Sequence, residues 1–107
     1  MEISELQKEV SKDAEEHGWH SLNRTFGDII ALCHSELSEA LEEHRKPDAT
    51  MYYLEGEKPE GIAVEMADCI IRILDWAELE GIDMEKVLRD KVDYNKTRPF
   101  RHGGKVL

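Results

Sequence analysis

Two acidic pairs, Glu36-x-x-Glu39 and Glu65-x-x-Asp68, each stand inside an otherwise apolar, helix-patterned stretch of this chain. Residues three apart share a helix face, with about 5–6 Å between their Cβ atoms. If the two helices face each other, four carboxylates converge. Like charges crowded into a low-dielectric site repel strongly, and a bound cation makes such an arrangement tolerable. An all-oxygen donor set favours Mg²⁺ or Mn²⁺ over Zn²⁺ or copper. The chemistry best served by a hard metal is phosphate chemistry, in which it neutralises oxygens and activates water.

The spacing alone is a weak signal. It recurs at Glu2/Glu5, Glu39/Glu42 and Glu57/Glu60, where it falls at a helix start, on a charged surface stretch and in a loop. The competing reading of the two central pairs is a set of solvated helix faces. The setting of the second pair weighs against it. From Val64 to Ala77 the only charged residues are Glu65, Asp68, Arg72 and Asp75, a narrow stripe on a segment that is apolar nearly all round. Such a helix has little water-facing surface on which to leave two acids. A di-iron carboxylate site would need Glu-x-x-His on two helices. None of His17, His20, His34, His44 and His102 lies three residues after a Glu. His34, next to the first pair, reads as a surface or core histidine, with support of the acids as the alternative. Cys33 and Cys69 lack metal-ligand spacing and read as buried thiols.

Four helices are expected to position these groups. The first runs from about Ser4 to His17, with Ser4-x-x-Gln7 as a capping box and Gly18 as its stop. The second runs from about Thr25 to Lys46 and ends at Pro47. The third opens near Pro59, a good first-turn residue, and ends near Gly81. The fourth follows Asp83 as N-cap and reaches about Asn95. Residues 47–58 read as a loop and 95–107 as an irregular basic tail. No segment alternates with period two, so the expected fold is all-α, a four-helix bundle. The third helix is apolar on too many sides for a lone small bundle. A homodimer or homotetramer is expected, with Trp76 at or near the interface.

The chain has 107 residues, which fits a single domain spanning 1–107. No apolar run approaches the roughly 18 residues of a membrane span, and the first ten residues are too polar for a secretory signal, so a cytoplasmic protein with no membrane partner is expected. Net charge is −10, yet residues 86–107 carry seven Lys/Arg against Asp90 and Asp93. An acidic body argues against nucleic acid as a partner, since that binding runs on phosphate neutralisation. A basic tail beside a metal-ready body suits a small phosphorylated ligand, or else merely complements the body's charge. Lys91 and Asn95, four apart, share a helix face. Trp19, Trp76, Tyr94 and Phe100 are available to stack on a base, although core or interface packing is the first reading of each tryptophan.

Taken together these segments resemble the all-α nucleoside triphosphate pyrophosphatases, specifically MazG-like proteins. The resemblance rests on Glu36-Leu-Ser-Glu39 and Glu65-Met-Ala-Asp68, on the text around them from Leu32 to Leu41 and from Gly61 to Asp68, on Lys91-x-x-x-Asn95, and on the ending from Tyr94 to Lys105. It covers nearly the whole chain. It implies Mg²⁺-dependent hydrolysis of a (deoxy)nucleoside triphosphate to the monophosphate and pyrophosphate, in nucleotide-pool housekeeping. It implies Glu36, Glu39, Glu65 and Asp68 as ligands of Mg²⁺ (or Mn²⁺), with Glu36 and Glu39 also catalytic. Lys91, Asn95, Arg98, Arg101 and Lys105 would bind the substrate. Several relatives carry a further Glu before the first motif acid; here that residue is Ser35, so the role of general base passes to Glu36 or Glu39. Two other readings stand beside this one: a specialised dUTP/dCTP or phosphoribosyl-nucleotide pyrophosphohydrolase, and a non-catalytic nucleotide-binding helical module.

Overall fold

The computed structural model describes residues 1–104 and 106. Its long helices are α1 (Ile3–Glu16), α2 (Phe26–Arg45), α3 (Ile62–Leu79) and α4 (Met84–Lys96). A 3₁₀ turn, Trp19–Leu22, lies between α1 and α2, and a single turn, α5, spans Arg101–Gly104 inside the tail expected to be irregular. Local chemistry sets most boundaries. Thr25 and Asp28 form a reciprocal capping box at the start of α2, with bonds of 3.1 and 2.9 Å. Asp83 caps α4 by accepting from the Lys86 amide at 3.2 Å. At the end of α3 the Gly81 amide donates to Glu78 and the Ile82 amide to Ala77, a Schellman closure that needs the left-handed backbone of Gly81 (φ 70°).

Two expectations fail at element ends. Ser4 and Gln7 do not cap α1, which begins one residue earlier, after Glu2. Both lie inside the helix and reach the corner between α3 and α4. The buried Gln7 donates from Nε2 to the Ile82 carbonyl (2.7 Å) and to Glu78 (3.0 Å), and its Oε1 accepts from the Met84 amide (3.3 Å). The Ser4 amide donates to Glu85 at 3.1 Å. A pattern that looks like a local cap is a long-range clasp.

Pro59 does not open α3. It lies in a short antiparallel hairpin, β1 (Tyr53–Glu55) with β2 (Lys58–Glu60), opposite Leu54. A two-stranded ribbon has a free edge on each strand, where a missing N–H is tolerated, and three-residue strands are too short to show alternation. The helix starts after Gly61 instead. There the carbonyls of Thr50 and Met51 accept from the amides of Ile62 (3.1 Å) and Ala63 (2.9 Å). The backbones approach so closely that a Cβ on Gly61 would sit 2.5 Å from the Met51 oxygen, and its φ of 119° also demands glycine.

Helix α3 packs against both α1 and α2. The core is small: Cys69, Leu74 and Ala77 from α3, Cys33 and Ala40 from α2, and Gln7 and Ser11 from α1. Both cysteines are buried free thiols, and burial pushes Cys33 above its ordinary value. Helix α4 braces α1 and buries none of its own residues. The chain is thus all-α apart from the hairpin, but α4 does not close a four-helix bundle over the core. The Cα radius of gyration, 16.5 Å, exceeds the roughly 13 Å of a compact chain this long. Apolar stripes remain uncovered: Met66, Ile70 and Ile73 on α3, Ile30, Leu37 and Leu41 on α2, and Val87, Leu88 and Val92 on α4. Among the described residues no helix is long and apolar enough to cross a membrane.

Candidate metal centre

The packing of α2 on α3 brings Glu36, Glu65 and Asp68 together because they stand on or beside the core-facing sides of their helices. Cys33, Glu36 and Ala40 repeat at three and four along α2, and all three are buried. On α3, Glu65 precedes the buried Cys69 by one turn and Asp68 adjoins it. Carboxylate oxygens of Glu36, Glu65 and Asp68 lie within 4.8 Å of one another. Glu39, exposed on α2, is not one of those three but adds its carboxyl to the crowding around Glu65.

The electrostatics follow from that crowding. Burial, followed by the neighbouring carboxyls of Glu39, Glu36 and Asp68, pushes Glu65 up to about 7. Burial also raises Asp68, as do Glu36 and Glu39, while Arg72 pulls it back down. Among the described residues Arg72 is the one cation hydrogen-bonded to the cluster. Its Nη2 and Nε donate to the same Glu36 oxygen at 2.9 and 3.1 Å. One guanidinium against four carboxyls leaves a deficit of positive charge. The donor set fits a hard divalent cation: oxygens only, with negative charge in excess. Glu36, Glu65 and Asp68 would hold such a cation.

A cavity of about 640 Å³ opens beside the acids. Glu36, Asp68, Arg72 and Asp75 line one side, and Trp19 and Arg24 approach from the 3₁₀ turn and the linker after it. The Arg24 guanidinium lies 5.3 Å from the Trp19 ring centroid. From the same turn His20 reaches Asp75 at 2.8 Å and Glu15 at 2.5 Å. Sequence reasoning placed Arg72 and Asp75 on the acidic stripe but gave them no role, and it missed Arg24 and His20. The stripe itself was the available signal: a cation four residues after Asp68 can turn back toward the acids.

The expected substrate-binding residues lie elsewhere. Lys91 and Asn95 sit on α4 and Arg98 and Arg101 beyond it, and none of the four lines the cavity. Lys91 and Arg98 instead flank the Tyr94 ring at 5.2 and 5.8 Å, and Arg101 stands over Phe100 at 5.2 Å. Lys105 lies outside the described residues. His34 is exposed, and Trp76 packs on Phe26 with ring centroids 5.1 Å apart. Comparison with known protein families, with curated proteins and with solved structures gives no match for this chain.

Proposed function

We propose that this chain is a MazG-like pyrophosphohydrolase that cleaves a (deoxy)nucleoside triphosphate between its α- and β-phosphates, releasing the monophosphate and pyrophosphate. One observation carries the reading: the convergence of Glu36, Glu65 and Asp68 within 4.8 Å, with Glu39 crowding Glu65, where α2 packs on α3. Stability alone offers no reason to gather four acids there, and a cation-dependent reaction does.

Glu36, Glu39, Glu65 and Asp68 would hold Mg²⁺ or Mn²⁺, which supplies neutralisation of phosphate oxygens and polarisation of the α-phosphorus. Glu39 is the better candidate to take the proton of the attacking water. It is exposed, whereas Glu36 is buried and engaged by Arg72. Arg72 and Arg24 set positive charge on the cavity wall, where it counters charge developing on the phosphate chain. Trp19 offers a flat apolar face for a base.

The separation of Lys91, Asn95, Arg98 and Arg101 from the acids fits a homo-oligomer. A second copy laid on the uncovered α2 and α3 stripes would bury them and could bring its own Lys91 and Asn95 to the acidic site. The assay is pyrophosphate release from a panel of nucleoside triphosphates with Mg²⁺, run on the wild type, Glu39→Gln and Asp68→Asn. The expected result is metal-dependent release lost in both variants while the helical circular dichroism persists. Full activity in either variant removes that residue from the site, and full activity in excess chelator removes the metal.

A further inference from the structure

The 3₁₀ turn Trp19–Leu22 forms one wall of the cavity and is joined to the rest of the chain through two left-handed residues, Gly18 (φ 78°) and Asn23 (φ 54°). Its own bonds are few. The Ser21 amide and hydroxyl both donate to the Gly18 carbonyl, at 3.3 and 2.7 Å. What ties it across to the helices is His20. The imidazole is largely buried, with Nδ1 on Glu15 Oε2 of α1 and Nε2 on Asp75 Oδ1 of α3. A carboxylate can only accept, so both ring nitrogens satisfy their partners only when both carry a proton. A neutral ring would set a lone pair against one carboxylate at hydrogen-bonding distance.

We propose that imidazolium at His20 is a latch, which holds the Trp19-bearing turn against α1 and α3 and releases that wall of the cavity when one proton is lost. The two carboxylates that the ring bonds support the protonated state, and the neighbouring Lys8 and Lys12 oppose it. Glu15, Lys8 and Lys12 face it from α1, and Asp75 and Glu78 from α3. Burial disfavours the charged ring, but the bonds to Asp75 and Glu15 outweigh burial, and His20 stays protonated above its usual 6.5. Asp75 also lines the cavity, so the latch and the cavity share a wall. When it opens, Trp19 and Arg24 lose their fixed position relative to Glu36 and Asp68. This inference does not depend on the reaction proposed above, and its test needs no turnover.

The test is a pH titration of the full chain by nuclear magnetic resonance, following the His20 ring carbons and the Trp19 indole N–H. The expected result is a His20 midpoint above 6.5, with the Trp19 signal and the amides of 18–23 moving at that same midpoint. His20→Gln should abolish the Trp19 transition and leave the indole at all pH values where the wild type has it at alkaline pH. Asp75→Asn, which keeps the turn's own bonds, should lower the midpoint. His17→Gln should leave it unchanged, because His17 is exposed and bonds Asp13, away from Glu15 and Asp75. A His20 midpoint at or below 6.5 overturns the proposal. So does a Trp19 signal indifferent to His20 ionisation, or a midpoint unmoved by Asp75→Asn.

Discussion

Replacing Glu65 by Gln should stabilise the metal-free protein, and more so as pH rises. A carboxyl ordinarily near 4.5 is pushed to about 7 by burial and by Glu39, Glu36 and Asp68. The sign is opposite to that of a salt-bridged acid. With the folded value above the unfolded one, the group weakens the fold as pH climbs past 4.5, and the loss is complete once pH passes about 7. At about 1.4 kcal/mol per unit the full shift corresponds to roughly 3 kcal/mol. Glu65 is only half-buried, and screening by water reduces the sum to about 1–2 kcal/mol. For a chain this long each kcal/mol moves Tm by about 4 °C. The advantage of Glu65→Gln over the wild type should therefore grow by about 4–8 °C between acid and mildly alkaline buffer, measured by calorimetry in chelator. Saturating Mg²⁺ should shrink or reverse it, because the cation replaces the relief that the amide gives and stabilises only the chain that binds it. A variant less stable than the wild type at alkaline pH without metal, or a gain that ignores pH, would refute the crowding argument.

Arg72→Met should lower the stability of the metal-free protein by about 1–2 kcal/mol, because Glu36 is left buried beside Glu65 and Asp68 without its cation; addition of Mg²⁺ should restore more than it does in the wild type, as followed by thermal melts. Gly61→Ala should cost about 1–3 kcal/mol, since a Cβ would collide with the Met51 carbonyl at a φ of 119°, and urea titration measures it. Leu74→Ala, at the best-buried large side chain of α3, should cost at least about 2 kcal/mol in the same titration. Light scattering at micromolar concentration should show a dimer or larger. Charged residues placed at both Ile70 and Leu37, in the uncovered stripes, should return a monomer with helical content intact. A wild-type monomer contradicts the assembly.

Helices that announce themselves by periodicity and end chemistry were legible. Thr25, Pro47, Gly81 and Asp83 each mark a boundary through a local interaction that the sequence displays. The convergence of Glu36, Glu65 and Asp68 is legible for the same reason, since Glu36 shares a face with Cys33 and Ala40 and that face is the core, whereas the expected fourth member, Glu39, stays exposed outside that group. The rest needed tertiary contact. Gln7 looks like a cap residue because its true partners, Glu78, Ile82 and Met84, are more than seventy positions away. Pro59 fits a first helical turn as well as a ribbon edge, and the Thr50–Met51 backbone decides between them. The sequence points to the tail for the site's cations, because Lys and Arg are dense there. The structure puts Arg72 and Arg24 at the cavity instead, and single cations within acidic or mixed stretches carry no compositional signal.

The central claim is hydrolysis at the α-phosphorus by a carboxylate-held divalent cation. Its most direct measurement is turnover of a nucleoside triphosphate panel with Mg²⁺ in ¹⁸O-water, with products resolved by mass spectrometry. The account predicts one pyrophosphate per monophosphate, with the label in the monophosphate and all turnover abolished by chelator. Absence of turnover across the panel, release of inorganic phosphate in place of pyrophosphate, or label confined to the pyrophosphate would contradict it.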